Sequence, residues 1–346
     1  MKKKELLPAL ALMTLSTSSL AASLPKVEMA FWQNDAYGAY SINHDDFCVD
    51  NTFGLIKYAL PELKKRGLKA AFGVIASDCK DEHWDVLKQA INDGHEIYNH
   101  AWTHVTPNDD NWSNDEQIKH PHQVISQKLN YQPTFYAFTM DQGSDDAVNY
   151  LQNMPGYVGT RAINYVNNTG VNFDEDKNDF AVRYDLYTVT GQWSIYEKKK
   201  EGKDILNMHA DMAARSGGWA YRTAHGVEDT SWNSIPLAIY LDHLDHIQAK
   251  VQDNELWVAP VSEVIKYRAT RRECAMTQTA IDQHSVKLSF DDSPACKKVA
   301  SDVTFIVYGK VSQIVQNQKA LAPTANTEKQ AMFNANPLDG EITVKF

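Results

Sequence analysis

Between residues 26 and 272, short apolar runs rich in β-branched and aromatic side chains alternate with longer stretches whose apolar residues recur every three or four positions. A period near two marks a strand and a period near 3.6 an amphipathic helix; their alternation marks β/α units rather than a sandwich. The predicted strands are Lys26–Trp32, Gly67–Ala76, His95–Asn99, Thr134–Thr139, Tyr157–Ile163, Ala181–Val189, Trp219–Ala224 and Leu256–Ala259. The predicted helices are Thr52–Arg66, Glu82–Asp93, Asp115–Leu129, Asp145–Met154, Asp204–Arg215 and Ile235–Val251. Gly67 and Gly94 read as helix stops, and Pro61 predicts a kink in the first helix. After Arg272 the texture changes: Ser285–Phe290, Val303–Tyr308 and Glu341–Phe346 alternate as strands, and no helix is predicted beyond Tyr267. The expectation is an α/β fold, with residues 273–346 as a small all-β unit, read as a packing module ahead of a sugar-binding one.

The first residues read as an address label. Lys2-Lys3-Lys4 precede the apolar stretch Leu6 to Leu15, and Ser19-Leu20-Ala21 supply small residues where a signal peptidase cuts. The apolar stretch is too short to cross a bilayer, and no Cys follows to carry a lipid. The chain is thus read as a signal peptide (1–21), a β/α domain (22–272) and a β-rich unit (273–346), free in a secreted or periplasmic compartment. In such an oxidising place the four cysteines form two bridges, and the pairing with the shortest loops is Cys48 with Cys79 and Cys274 with Cys296.

Composition narrows the class further. Of 346 residues, 43% are hydrophobic and 23% charged, which excludes disordered and low-complexity chains. The formal charge of −10 repels phosphate backbones, so no nucleic-acid partner is expected. Phosphate-binding glycine loops, serine nucleophile elbows and internal repeats are not evident.

Candidate chemistry concentrates in Asn43-His44-Asp45-Asp46-Phe47 and in His95-Glu96-Ile97-Tyr98-Asn99-His100-Ala101-Trp102-Thr103-His104. Each sits downstream of a predicted strand, the end of a β/α barrel where catalytic groups gather. An Asp-Asp pair alone reads as a solvated turn, and a His-x-x-x-His alone as surface or core histidines. Together they offer two imidazoles and a carboxylate, a facial set with open positions, as in catalytic rather than structural metal sites. The second aspartate is then free to take a proton from the metal's water.

With these residues quoted, the sequence resembles the polysaccharide deacetylase family (NodB-homology domain, carbohydrate esterase family four) over most of residues 26 to 270. His44-Asp45-Asp46-Phe47, the helix after Thr52 and Lys69-Ala70-Ala71-Phe72 look like the family's first motif and its sequel. Gly94 to His104 match its second motif, Gly-His-Glu-Ile-x-Asn-His-x-x-x-His, at every fixed position. Trp219 to Gly226 look like the strand that ends in the family's late histidine, and Trp257 to Tyr267 like its closing strand and helix. The resemblance implies an irregular (β/α) barrel, one divalent metal held by Asp46, His100 and His104, Asp45 as general base and His225 as general acid. Zinc suits these donors first; nickel, cobalt and manganese are compatible.

The departures are equally specific. Thr139 and Met140 stand where the third motif has Pro and Tyr, so the usual partner that orients the base is missing from Phe135–Asp141. Phe47 and His44 replace Gly and Phe of the first motif, and Asp185 and Trp193 are the candidates for the fourth. The implied function is a secreted metal-dependent hydrolase of an acetylated poly- or oligosaccharide. N-acetyl groups of a chitin-like or peptidoglycan-like glycan are favoured over O-acetyl esters of xylan, and a catalytically inactive sugar-binding protein is the alternative raised by the altered third motif. Trp102, Trp112, Trp193, Trp219 and Trp232 could stack on sugar, Trp102 foremost. Asp242-His243-Leu244-Asp245-His246 reads as a solvated helix face rather than a second metal site, and Asp174 to Asp179 as an acidic loop rather than a calcium loop.

Overall fold

The computed structural model describes residues 24–49, 52–161, 170–173, 180–188 and 203–346. The signal peptide expected over 1–21, the acidic loop Asp174–Asp179 and Trp193 lie outside these residues.

Strand β1 (Val27–Met29) stands apart from the ten that follow: β2 (Gly38–Phe47), β3 (Ala70–Val74), β4 (Glu96–Asn99), β5 (Phe135–Tyr136), β6 (Gly159–Arg161), β7 (Val171–Asn172), β8 (Ala181–Val182), β9 (Asp185–Leu186), β10 (Trp219–Ala224) and β11 (Leu256–Val258). Parallel pairing runs β10-β2-β3-β4-β5-β6-β8. The residues directly after β8 form β9, which pairs parallel with β10. One short stretch therefore joins both ends of the sheet, and the strands form a nearly closed, irregular β/α barrel. β7 pairs antiparallel with β10, and β11 pairs with the first residues of β2.

Alternation along β2 divides its side chains between two cores. Tyr40 and Ile42 point outward with Leu55, Phe72, Ile97 and Leu244, under the helices. Ala39 points inward, with Ala71, Tyr98, Phe135, Trp219 and Tyr221. β2 is absent from the strands predicted by sequence, and its inward positions Ala39, Ser41, Asn43 and Asp45 give the barrel a small and polar interior face. These polar groups are buried: Ser41 Oγ donates to the Ala259 carbonyl at 2.8 Å, and Asn43 Nδ2 to those of Ser41 and Arg222 at 3.2 and 3.1 Å, while Asn43 Oδ1 has no hydrogen-bond partner among the described residues.

The helix predicted over 52–66 forms, with a wide turn over Leu55–Ala59 just before Pro61. A proline lacks an N–H and crowds the carbonyl four residues back, and widening the turn before it relieves both. Pro121 does the same to the helix His120–Leu129 after Asp115–Lys119. Gly67, at φ 66°, ends the first helix in the left-handed conformation.

The C-terminal strands are β12 (Met276–Asp282), β13 (Ser285–Phe290), β14 (Val303–Val307), β15 (Gln313–Gln316), β16 (Lys319–Ala320), β17 (Ala325–Asn326), β18 (Ala331–Ala335) and β19 (Ile342–Lys345). They form two antiparallel sheets, β1-β14-β18-β17 and β12-β13-β19-β15-β16, that share a core of Leu288, Phe305, Phe333, Ile342 and Val344. The strand predicted to open the barrel therefore belongs elsewhere: Val27 lies opposite Val307 and Met29 opposite Phe305. Its apolar pattern announced a strand, but not which sheet would accept it. Two helices also correct the sequence reading. Val261–Glu273 runs past Tyr267, and Pro294–Val299 interrupts the β-rich unit. Both carry the second disulfide, Cys274–Cys296, and the first joins Cys48 to Cys79, the sequence-local pairing. Tyr267 seats the sheets on the barrel, its ring 5.0 Å from Trp257 and its hydroxyl donating to the Ala30 carbonyl at 3.0 Å. No helix among the described residues is long and apolar enough to cross a membrane.

Candidate metal centre

Neighbouring residues on a strand face opposite ways, so Asp45 and Asp46 can serve one site only if the strand breaks its alternation. It does so here. The register of β2 against β3 steps from His44 opposite Phe72 to Phe47 opposite Val74, one residue more on β2 than on β3. The extra residue is a bulge, and Asp46 within it adopts φ 63°, a conformation that Asp tolerates better than most side chains.

The second cluster follows β4. The His100 amide continues the ladder to the Val74 carbonyl at 3.1 Å, and its Nδ1 lies 2.7 Å from the Ala137 carbonyl. A carbonyl only accepts, so the proton sits on Nδ1 and the Nε2 lone pair faces the site. Ala101, at φ 76°, turns the chain, with its amide donating to Asn99 Oδ1, and His104 comes back alongside. Asp46 Oδ1 then lies 3.2 Å from His100 Nε2 and 3.4 Å from His104 Nε2. From the end of β10, His225 brings its Nε2 to 3.5 Å from Asp46 Oδ2. The potential ligand atoms of Asp46, His100 and His104 all lie within 4.8 Å of one another.

This donor set fits a divalent cation. Asp46 Oδ1 is buried and has no hydrogen-bond partner among the described residues, and in the tautomer set by Ala137 it faces a lone pair on His100. Two facing acceptors need a positive charge between them. The titration of the metal-free site agrees: burial pushes His100 down, but Asp45 and Asp46 outweigh it and raise the imidazole above its ordinary value. His104, partly exposed, is lowered by burial and by His100.

Behind Asp46, Asp45 is buried and held at both oxygens. The Tyr98 hydroxyl donates to Oδ1 and Arg161 Nη1 to Oδ2. Arg161 Nη2 donates to the Phe138 carbonyl at 2.8 Å and lies 3.4 Å from Asp141 Oδ1. Burial pushes the Asp45 carboxyl up, yet Arg161, His100, His225 and Tyr98 hold it below the usual carboxylate range. Tyr98 reaches it by crossing Gly73 on the adjacent strand, where a Cβ would stand 2.4 Å from the ring. Only glycine leaves that path open.

All five residues named from the sequence thus meet at one end of the barrel. Sequence reasoning missed Arg161 and Tyr98. Tyr98 was visible inside the second motif but occupies its variable position. Arg161 sits on a three-residue strand 116 positions from Asp45 with no pattern around it. Asp185 pairs with Arg222 at 3.6 Å, and Trp102 stacks on His120 at 4.2 Å. Trp232 is the half-exposed aromatic at the site, its ring edge-on to His225 at 5.1 Å. The helical histidines make internal bonds, His246 Nε2 to Asp211 at 2.8 Å and His243 Nδ1 to Asn207 at 2.8 Å.

A family model described as polysaccharide deacetylase matches residues 41–158, the stretch that holds Asp45, Asp46, His100 and His104. Over this stretch the chain is similar to the polysaccharide deacetylase family. Solved structures similar to it include a probable polysaccharide deacetylase from Pseudomonas aeruginosa (10% identity, 69% of this chain and 93% of that chain, TM-score 0.48). Others are a family 4 acetyl xylan esterase from Clostridium thermocellum in complex with a cobalt ion (18%, 66% and 91%, 0.40) and a peptidoglycan deacetylase from Bacillus subtilis (17%, 68% and 93%, 0.42). No curated protein matches the chain in sequence. Arg161 and His225 lie beyond the matched residues and enter the site through the fold alone.

Proposed function

We propose that this polysaccharide deacetylase homologue is an exported, metal-dependent hydrolase that removes N-acetyl groups from a chitin-like or peptidoglycan-like glycan. Asp46, His100 and His104 would hold the ion, with zinc the first choice for two imidazoles and a carboxylate. A divalent ion bound there supplies Lewis-acid polarisation of the acyl oxygen and makes its coordinated water acidic near neutral pH. Asp45 acts as general base. Its low pKa keeps it ionised wherever the imidazoles are neutral, and Arg161 and Tyr98 fix its direction. His225 acts as general acid, because an amine cannot leave as an anion and needs a proton as the bond breaks. The two disulfides favour an oxidising compartment.

The observation that carries this reading is the single carboxylate of Asp46 facing the Nε2 atoms of His100, His104 and His225, with the buried, ion-paired Asp45 next to it. The inactive alternative was motivated by the missing orienting partner of the third motif. Arg161 contacts Asp45 from β6, which supports the active reading.

Acetate release tests the proposal, measured on N-acetylated chitooligomers, peptidoglycan fragments and acetylated xylan. Release from an N-acetylated substrate should stop with a chelator, return with zinc, and fall by about 10²-fold or more in Asp45→Asn. Release only from xylan would replace the amide by the ester reading. Release indifferent to chelation and to His100→Ala would overturn the metal mechanism.

A further inference from the structure

His44 stands where the resembling family has Phe, and it does not face the metal site. As the last β2 residue before the bulge it points outward, opposite in sense to Asp45, with its ring stacked on Phe72 at 5.6 Å and 12°. The β10–β2 ladder ends at Ala224 opposite His44. Beyond that pair the β10–β2 ladder stops, and no strand amide among the described residues bonds the His225 carbonyl. His44 supplies a donor instead: its Nδ1 lies 2.6 Å from that carbonyl, and its Nε2 lies 3.2 Å from the Tyr240 hydroxyl. The carbonyl requires the proton on Nδ1, so Nε2 accepts from Tyr240 and the ring is fixed at both nitrogens.

We propose that His44 is a positioning residue, whose imidazole extends the β10–β2 ladder by one hydrogen bond and so sets where the ring of His225 stands against Asp46. Among the described residues the Nδ1 of the His225 ring has no hydrogen-bond partner, while its Nε2 lies 3.5 Å from the Asp46 carboxylate and its ring is edge-on to the half-exposed Trp232. Holding the backbone therefore orients the ring, and Tyr240, on the helix Leu237–Gln252, fixes His44 in turn. The catalytic consequence rests on the assignment of His225 as proton donor, whereas the geometric one does not.

Three variants separate the contributions. His44→Phe keeps the ring packing and removes both hydrogen bonds; His44→Asn keeps a donor at the Nδ1 place; Tyr240→Phe removes the donor to Nε2. In zinc-loaded protein His44→Phe should lower kcat by about tenfold or more, with KM and calorimetric zinc affinity changed by less than about twofold, and His44→Asn should recover most of kcat. Ring-nitrogen NMR of His225 in metal-free protein should show one sharp state in the wild type and in His44→Asn, and a shifted or broadened one in His44→Phe. Tyr240→Phe should fall between. An unchanged His225 signal in His44→Phe overturns the proposal, as does a kcat loss matched by lost zinc affinity that Asn fails to rescue. If the wild type releases no acetate, the deacetylase reading fails, and the His225 signal still decides the positioning role.

Discussion

At the scale of single residues, Asp45 is where burial and charge oppose each other most strongly. Its carboxylate is ionised inside the barrel chiefly because Arg161, itself buried, ends against it. A buried pair of this kind adds little net stability, but removing one partner strands the other charge. Arg161→Met should therefore destabilise the protein by about 3 kcal/mol, read from denaturant melts. It should also raise the Asp45 pKa, since burial then acts unopposed, and move the acid limb of kcat/KM to higher pH. The linkage has the matching sign: a depressed carboxyl pKa contributes stability that is present above the ordinary carboxylate range and lost as pH falls through the folded value. An unmoved acid limb would show that Arg161 does not set the charge of Asp45.

At the scale of elements, the site depends on how three chain segments are tied behind it. Cys48 lies two residues beyond Asp46, and its disulfide partner Cys79 ends the turn after β3. Within that turn the Ala76 and Ser77 amides donate to the carbonyls of Ala101 and Trp102, the residues just after His100. The bridge thus couples the bulge that carries one proposed ligand to the loop that carries the other two. Replacing both cysteines by serine should cost about 2–4 kcal/mol of stability, as for a native bridge closing a loop of this length. Zinc affinity measured calorimetrically should also weaken, by about tenfold, because the support behind the ligands is lost. A stability loss with undiminished zinc affinity would make the bridge a staple for the fold alone.

At the scale of the whole molecule, buried histidines couple folding to pH. Burial lowers His44 and His95 to about 4 and His209 to about 3, and holds His243 well below its ordinary value. An unfolded imidazole titrates near 6.5, so below that pH the unfolded chain takes up protons that these four refuse in the fold, and stability rises with pH. His100 has the opposite sign in metal-free protein: its contribution is present below the unfolded value and lost as pH rises through the raised one. Four residues outweigh one. The unfolding free energy should drop on acidification from pH 7 to pH 5 by more than about 1 kcal/mol per pH unit, measured by denaturant titration. A flat profile over that range would mean that these rings admit protons in the folded state.

The second motif was legible in full, because its residues are consecutive and its chemistry is carried by residue type and spacing. Several helices were legible for a similar reason: periodicity and stop residues are local. What could not be read is which distant segment meets which. Arg161 lies on a strand too short to have a pattern, β2 hides behind the polar interior of the barrel, and β1 pairs with a strand some 280 positions away. By itself, the sequence of this protein determined its alternating β/α texture and the aspartates and histidines of one candidate site. Only the tertiary structure decided that a bulge turns two adjacent aspartates to one side, that an arginine from another strand neutralises one of them, and that a histidine on the reverse face ties down the end of β10. The physical reason is that local pattern encodes period and propensity, whereas partnership is set when the ring of strands closes.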